Sequence, residues 1–336
     1  MAAYTTIDDP SAYFQVVLYS GNGTDDRDIA LGTTQFAPNL TVIKRRDDTN
    51  SWKCFDTVRG ATKQVIWDGE NAESTFADGL QAFNSDGFEV GTDEAVNDGS
   101  GTYLSLNWKE SATAGFDIVA YTGNGTDDTD IAHSLSAVPH VMLVKCRTHG
   151  EYWAVYHHKN TSAPNTDYLL LNVSNATNDA ADRWSDETPT SSVFTLGDNP
   201  HVNGNTKTYI NYLFSEIQGY SKFGFYDGSG SSDGPYIYLG FRPAWLMIKC
   251  NSNAHASAGW RIWNNKMDTF NPADNVLDAN TTAAVDLTGE DYDFLSNGFK
   301  VRAGGLKNND AGETYVYMAF AEQPFVNSEG VPANAR

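Results

Sequence analysis

Cysteine is scarce in this chain of 336 residues: three are present, too few for the disulfide framework that staples small secreted domains. Basic residues are few as well. Lysine and arginine total 22 against 43 aspartate and glutamate, a formal net charge of −21. That balance excludes a continuous basic surface for nucleic acid phosphates and disfavours anionic membrane surfaces. No apolar run is long enough to cross a bilayer, and mean hydropathy is −0.45, so neither a nucleic acid partner nor membrane insertion is expected. The opening Met-Ala-Ala-Tyr-Thr-Thr has neither the charged start nor the apolar stretch of a secretory signal, which sets the expectation of synthesis in a reducing cytoplasm with all three thiols free. Also absent are a Gly-x-Ser-x-Gly elbow, a phosphate-binding loop and a Cys-x-x-Cys pair. What the chain does have is 40% hydrophobic and 12% aromatic residues, enough to build folded cores.

It also has an internal repeat. The segment from Tyr19 reads YSGNGTDDRDIA, that from Tyr121 reads YTGNGTDDTDIA, and that from Tyr226 reads YDGSGSSDGPYIY. Pro38, Pro139 and Pro243 each precede a lysine by six residues, at Lys44, Lys145 and Lys249, and a tryptophan follows at Trp52, Trp153 and Trp260. Each copy closes on an apolar run whose tyrosines, Tyr103, Tyr209 and Tyr315, are 106 residues apart. A unit of that length is large enough to hold a core of its own, unlike a short solenoid repeat. The expected domains are 1–112, 113–218 and 219–336, the first and last carrying terminal tails.

Within each copy the apolar period is two, as in Val141-Met142-Leu143-Val144, with Gly-Asn-Gly and Asp-Gly steps between the runs. No segment reads as a capped amphipathic helix. The expectation is an all-β chain of three tandem antiparallel β-sandwich domains with seven or eight short strands each. Linkers are very short, so neighbouring domains are expected to touch and form a stiff rod or arc.

Few residues carry candidate chemistry. Asp25, Asp26 and Asp28, and again Asp127, Asp128 and Asp130, cluster after a Gly-Asn-Gly turn and have the oxygen ligands calcium prefers, although they lack the length and terminal glutamate of an EF-hand loop. The third copy keeps only Asp233, so calcium is not needed by the fold, and a solvated acidic turn is the plainer reading. Glu110, Glu216 and Glu322 recur at the last strand's end, but no second acid recurs with them to complete a glycosidase pair, so they read as structural, with pairing to the recurring lysines open. His157 and His158, near His140 and His149, point to opposite faces of a strand and do not easily chelate one ion; an exposed polar strand end is expected there. Trp153, Tyr156, Trp260 and Trp263 are the candidates for stacking on sugar rings, against the reading that they fill cores. No catalytic residue and no cofactor other than calcium at the aspartates is expected.

The opening YTTIDDPSAYFQ, the Y-[ST]-G-N-G-T turns, the lysine-ended strands, the step Val58-Arg59-Gly60-Ala61-Thr62-Lys63 and the ending EQPFVNSEGVPANAR resemble a family of bacteriophage virion structural proteins common in marine phages. The resemblance spans nearly the whole chain, implies that the sandwiches are of jelly-roll or concanavalin-like type, and brings no catalytic set with it. It implies a non-enzymatic protein of the virion exterior, made in the host cytoplasm and assembled in several copies with itself and with other virion proteins. A tail-fibre or tail-appendage component is the leading expectation. The alternatives are a capsid-surface decoration protein and an adhesin that contacts host-surface glycan. A polysaccharide-degrading enzyme is the weakest reading, because no carboxylate pair stands out.

Overall fold

The computed structural model describes residues 4–287 and 291–334; the outermost residues of the first and third expected domains lie outside that range. The described chain is nearly all β, and its named strands pair antiparallel. In the first repeat the larger sheet runs, in hydrogen-bonded order, Phe14–Ser20, Thr102–Trp108, Leu40–Arg45, Lys53–Asp56, Lys63–Ile66 and Ser74–Thr75. The second repeat repeats that order with Phe116–Thr122, Thr208–Phe214, Val141–Cys146, Ala154–His157, Asp167–Leu170 and Asn178–Asp179. The third follows with Ser221–Asp227, Thr314–Pro324, Phe241–Cys250, Trp260–Asn264 and Leu277–Asp278. Each repeat adds a small sheet of two or three strands, such as Arg27–Ala30, Gly87–Val90 and Leu80–Asn84 in the first. The α-helices among the described residues, Glu94–Asn97 and Pro200–Asn203, are single turns.

Alternation along the strands explains where the cores lie. In Thr208–Phe214, Ile210, Tyr212 and Phe214 join one core, while Tyr209 and Leu213 join another on the opposite face. A strand buried on both faces reads as continuously apolar, which is how these closing runs look in the sequence. The opposite-face cores stay within a repeat: Ile43, Phe55 and Phe88 in the first, Met142, Tyr156 and Phe194 in the second, Leu246, Trp263 and Phe299 in the third.

The inner core belongs to all three repeats at once. Trp108, Phe214 and Phe320, each 106 residues from the next, form a triangle of rings with centroids 6.1, 5.8 and 5.9 Å apart. Phe14 and Trp245 pack against it. The three larger sheets therefore face a common pseudo-threefold centre. This corrects the expected rod or arc: the first repeat touches the third as well as the second, and the chain closes into a ring. The physical reason is the inner face of each larger sheet, which is apolar and has no second sheet of its own repeat to cover it. The N-terminal segment helps close the ring, with Ile7 in the shared core, Thr5 Oγ1 donating to Gln218 O at 2.8 Å and Asp8 accepting from Ser328 N at 2.7 Å.

Candidate functional site

The recurring residues meet at the three seams between repeats. Trp52 Nε1 donates to Asp278 O at 3.0 Å, Trp153 Nε1 to Ile66 O at 2.8 Å and Trp260 Nε1 to Leu170 O at 2.8 Å. Each indole thus reaches the preceding repeat, the first reaching round to the third. The lysines do likewise: Lys44 Nζ donates to Thr282 O, Lys145 Nζ to Glu70 O and Lys249 Nζ to Ser174 O, at 3.1, 2.8 and 3.1 Å. All three lysines are buried, and burial pulls each down to about 8, against the attraction of nearby carboxylates at Lys44 and Lys145 and with the added repulsion of Arg261 at Lys249. Their partners across the seams are backbone carbonyls rather than the recurring glutamates. Backbone bonds complete the seams: Glu73 N to Arg147 O, Thr177 N to Asn251 O and Val285 N to Arg46 O, each 2.8 Å.

The recurring glutamates face three different partners. Glu110 lies near Asp117, and burial, then hydrogen bonding with Asp117, raises it to about 7. Glu216 accepts from Phe223 N at 2.7 Å and sits 3.6 Å from His158 Nε2; burial pushes it up, but these hydrogen bonds prevail and it is lowered. Glu322 pairs with Arg242 at 3.1 Å.

At the seam between the first and second repeats, Asp56 accepts from the Arg59 guanidinium and, at 2.7 Å, from Tyr212 OH. Arg147 grips Glu73 through two bonds of 2.8 and 3.1 Å. This network takes Arg59 of the Val58–Lys63 motif into the packing, while Val58 stays exposed. Strand register puts Asp56, His157 and Asn264 at one equivalent place. All three are buried, which corrects the expected exposed strand end: the strand end is covered by the adjoining repeat. His157 Nε2 donates to Tyr317 O at 3.1 Å and its Nδ1 accepts from Lys159 N, so both ring nitrogens are used, and burial depresses it to about 3. His158 and His140 come together with centroids 4.4 Å apart, a pairing invisible in the linear order. His158 Nε2 donates to Phe223 O at 2.6 Å, and His140 Nδ1 accepts from Glu216 N at 3.0 Å.

The aspartate clusters are exposed, with Asp25, Asp26, Asp127 and Asp128 on turns and Asp28 and Asp130 on the short strands that follow. Asp25 accepts from Gln81 Nε2 at 2.9 Å, Asp28 from Asn84 Nδ2 at 2.6 Å, Asp127 from Ser185 Oγ at 2.5 Å and Asp130 from Thr195 Oγ1 at 2.8 Å. Asp26 and Asp128 adopt left-handed φ of 52° and 60°. Within each cluster the carboxylates spread toward different neutral donors, and among the described residues no three His, Cys, Asp or Glu side chains gather as a metal site.

Trp153, Tyr156, Trp260 and Trp263, the candidates for stacking on sugar, are at most 2% exposed. This is a correction: rings inside the inner and outer cores present no face to a ligand, and period-two alternation places them there. Exposed large aromatics do exist. Phe225, Tyr236, Tyr238 and Phe270 are all exposed, and all lie in the third repeat.

A recurring residue that the sequence reading passes over is asparagine. Asn97, Asn203 and Asn309, again 106 residues apart, are buried and clamp the glycine-rich turns. Each Oδ1 accepts a turn N–H, from Asn22, Asn124 and Ser229, and each Nδ2 donates to turn carbonyls, those of Thr24, Thr126 and Ser231. The turns need Gly23, Gly125 and Gly230 at φ of +68° to +69°, which is why they read Gly-x-Gly. The spacing was the available signal.

One family model, described as a domain of unknown function (DUF7483), matches residues 9–324. The chain belongs to this family. Its match runs through all three repeats together. No curated protein matches the chain.

Proposed function

We propose that this chain is a non-enzymatic structural protein of a bacteriophage exterior, a tail-fibre or tail-appendage component present in several copies. The observation that carries the proposal is how the recurring polar chemistry is used. Lys44, Lys145 and Lys249, with Trp52, Trp153 and Trp260, each donate to a backbone carbonyl across a seam, as a scaffold requires, and the lysines' remaining bonds go to carbonyls of their own repeat. The sequence resemblance supplies the virion context. The net charge of −21 suits a surface facing solvent rather than packaged DNA. Each repeat is read as a β-sandwich of one larger and one smaller sheet, a reading supported by the outer core confined to each repeat. The exposed aromatics of the third repeat make it the repeat that faces a partner.

Cryo-electron microscopy of the intact particle tests this. Density for the chain on the tail or an appendage is the expected result. Density across the capsid surface points instead to a decoration protein, and absence of the chain from purified particles overturns the virion reading.

A further inference from the structure

The three seams are built on equivalent positions but filled differently. Where the first seam holds Arg59, Glu73 and Arg147 in ion pairs, the second holds the shorter, neutral Asn160, Thr177 and Asn251. The third seam carries Met267 and Val285, packed on the inner core. Of the three seams, the second is thus the neutral polar one, and shortening its side chains leaves a groove of about 550 Å³.

The hydrogen bonding of this groove is oriented. Thr177 Oγ1 donates to Asn160 Oδ1 at 2.7 Å, Thr314 Oγ1 to Asn251 Oδ1 at 2.9 Å and Ser252 Oγ to Glu313 at 2.5 Å, while Thr161 donates to Asp167. With its proton committed to a neighbour, a hydroxyl keeps lone pairs for whatever enters, as at Thr177 and Thr314; Ser252 and Thr161 already accept from Thr314 N and Ala163 N. Beneath them Asn160 is 4% exposed, and its Nδ2 is buried without a hydrogen-bond partner. At the rim stands Phe225, 52% exposed, where the equivalent strand positions hold Ala120 and Leu18. In a chain with 43 acidic residues, no carboxylate lines the groove, and its one charged lining residue is Lys159.

The geometry points to a binding site for a neutral glycan in this groove, with a sugar ring stacked on Phe225 and its hydroxyls bonded to the seam's threonines, serines and amides. A polyol hydroxyl donates to the lone pairs that the groove's threonines keep free. A pyranose also has a C–H face to lay on an exposed ring. Carboxylate ligands for a cation are missing from the lining, so binding does not need calcium.

The test uses the full purified chain in EDTA, against a panel of neutral oligosaccharides of glucose, galactose, mannose and N-acetylglucosamine, with titration calorimetry on those that bind. At least one is expected to bind. Phe225→Ala should weaken it roughly tenfold and Thr177→Val severalfold, while Phe270→Ala, an exposed ring outside the groove lining, leaves it unchanged. Phe225 is half exposed on an outer strand, so its variant keeps the fold, which the melting temperature verifies. No binding across the panel overturns the inference, as does binding that survives both groove variants. Binding confined to sulfated or uronate glycans and lost in Lys159→Gln overturns the neutral class. Binding is read without any phage particle, so failure here leaves the virion reading standing, and failure there leaves this one.

Discussion

Glu110, Glu216 and Glu322 show at the scale of one residue how equivalent positions diverge. The glutamate is the same each time, but its neighbour is an acid, a histidine or an arginine. Glu110 is raised from 4.5 to about 7, first by burial and then by Asp117. Between those values the folded chain holds a proton that the unfolded chain has released, so this group's contribution to stability falls as pH rises through the window. Glu110→Gln should therefore match the wild type in melting temperature near pH 5 and exceed it near pH 8; equal melting at both would show that the pair carries no strain. Glu216 runs the other way. Its lowered value means a contribution present above about 4.5, the ordinary glutamate value, and lost as pH falls below it.

At the scale of an element, the decisive units are the inner strands and what stands at their ends. Val141–Cys146 turns Val141 and Leu143 inward and Met142 and Val144 outward, and on the inward parity its fifth residue, Lys145, reaches the neighbouring repeat. Trp153→Phe keeps most of the apolar ring but leaves Ile66 O without its donor, a loss of about 1–3 kcal/mol measurable by urea denaturation. The lysines predict a pH effect of opposite sign to Glu110. Burial holds them at about 8 against an ordinary 10.5, so across that interval the unfolded chain binds more protons and stability rises with pH. Lys145→Met should flatten that rise in melts taken from pH 8 to 10; an unchanged slope would mean that the lysine is as solvated folded as unfolded.

Much of this element-level organisation was legible in the sequence. The repeat, the strands and the equivalence of Trp52, Trp153 and Trp260 follow from spacing and alternation. Which face those tryptophans occupy does not, because a period of two distinguishes faces without saying what covers them. For the same reason Trp153 and Trp260 looked available to sugar although the adjoining repeats bury them, and His157 looked exposed. The groove was illegible because it is made by what is small at one seam: Asn160 matters only beside Arg59, its larger counterpart at another seam.

For the whole molecule, a short linker permits a rod or a ring, and the choice rests on the uncovered inner faces. Three larger sheets that each leave an apolar face open gain most by meeting at one centre, where Trp108, Phe214 and Phe320 touch pairwise. In such a body no repeat has its inner face covered unless the other two are in place, so the three should unfold together although each has an outer core of its own. Differential scanning calorimetry of the full chain tests this most directly. One transition is expected, with calorimetric and van't Hoff enthalpies that agree. Two or three separable transitions, each with the enthalpy expected of about a hundred residues, would contradict it.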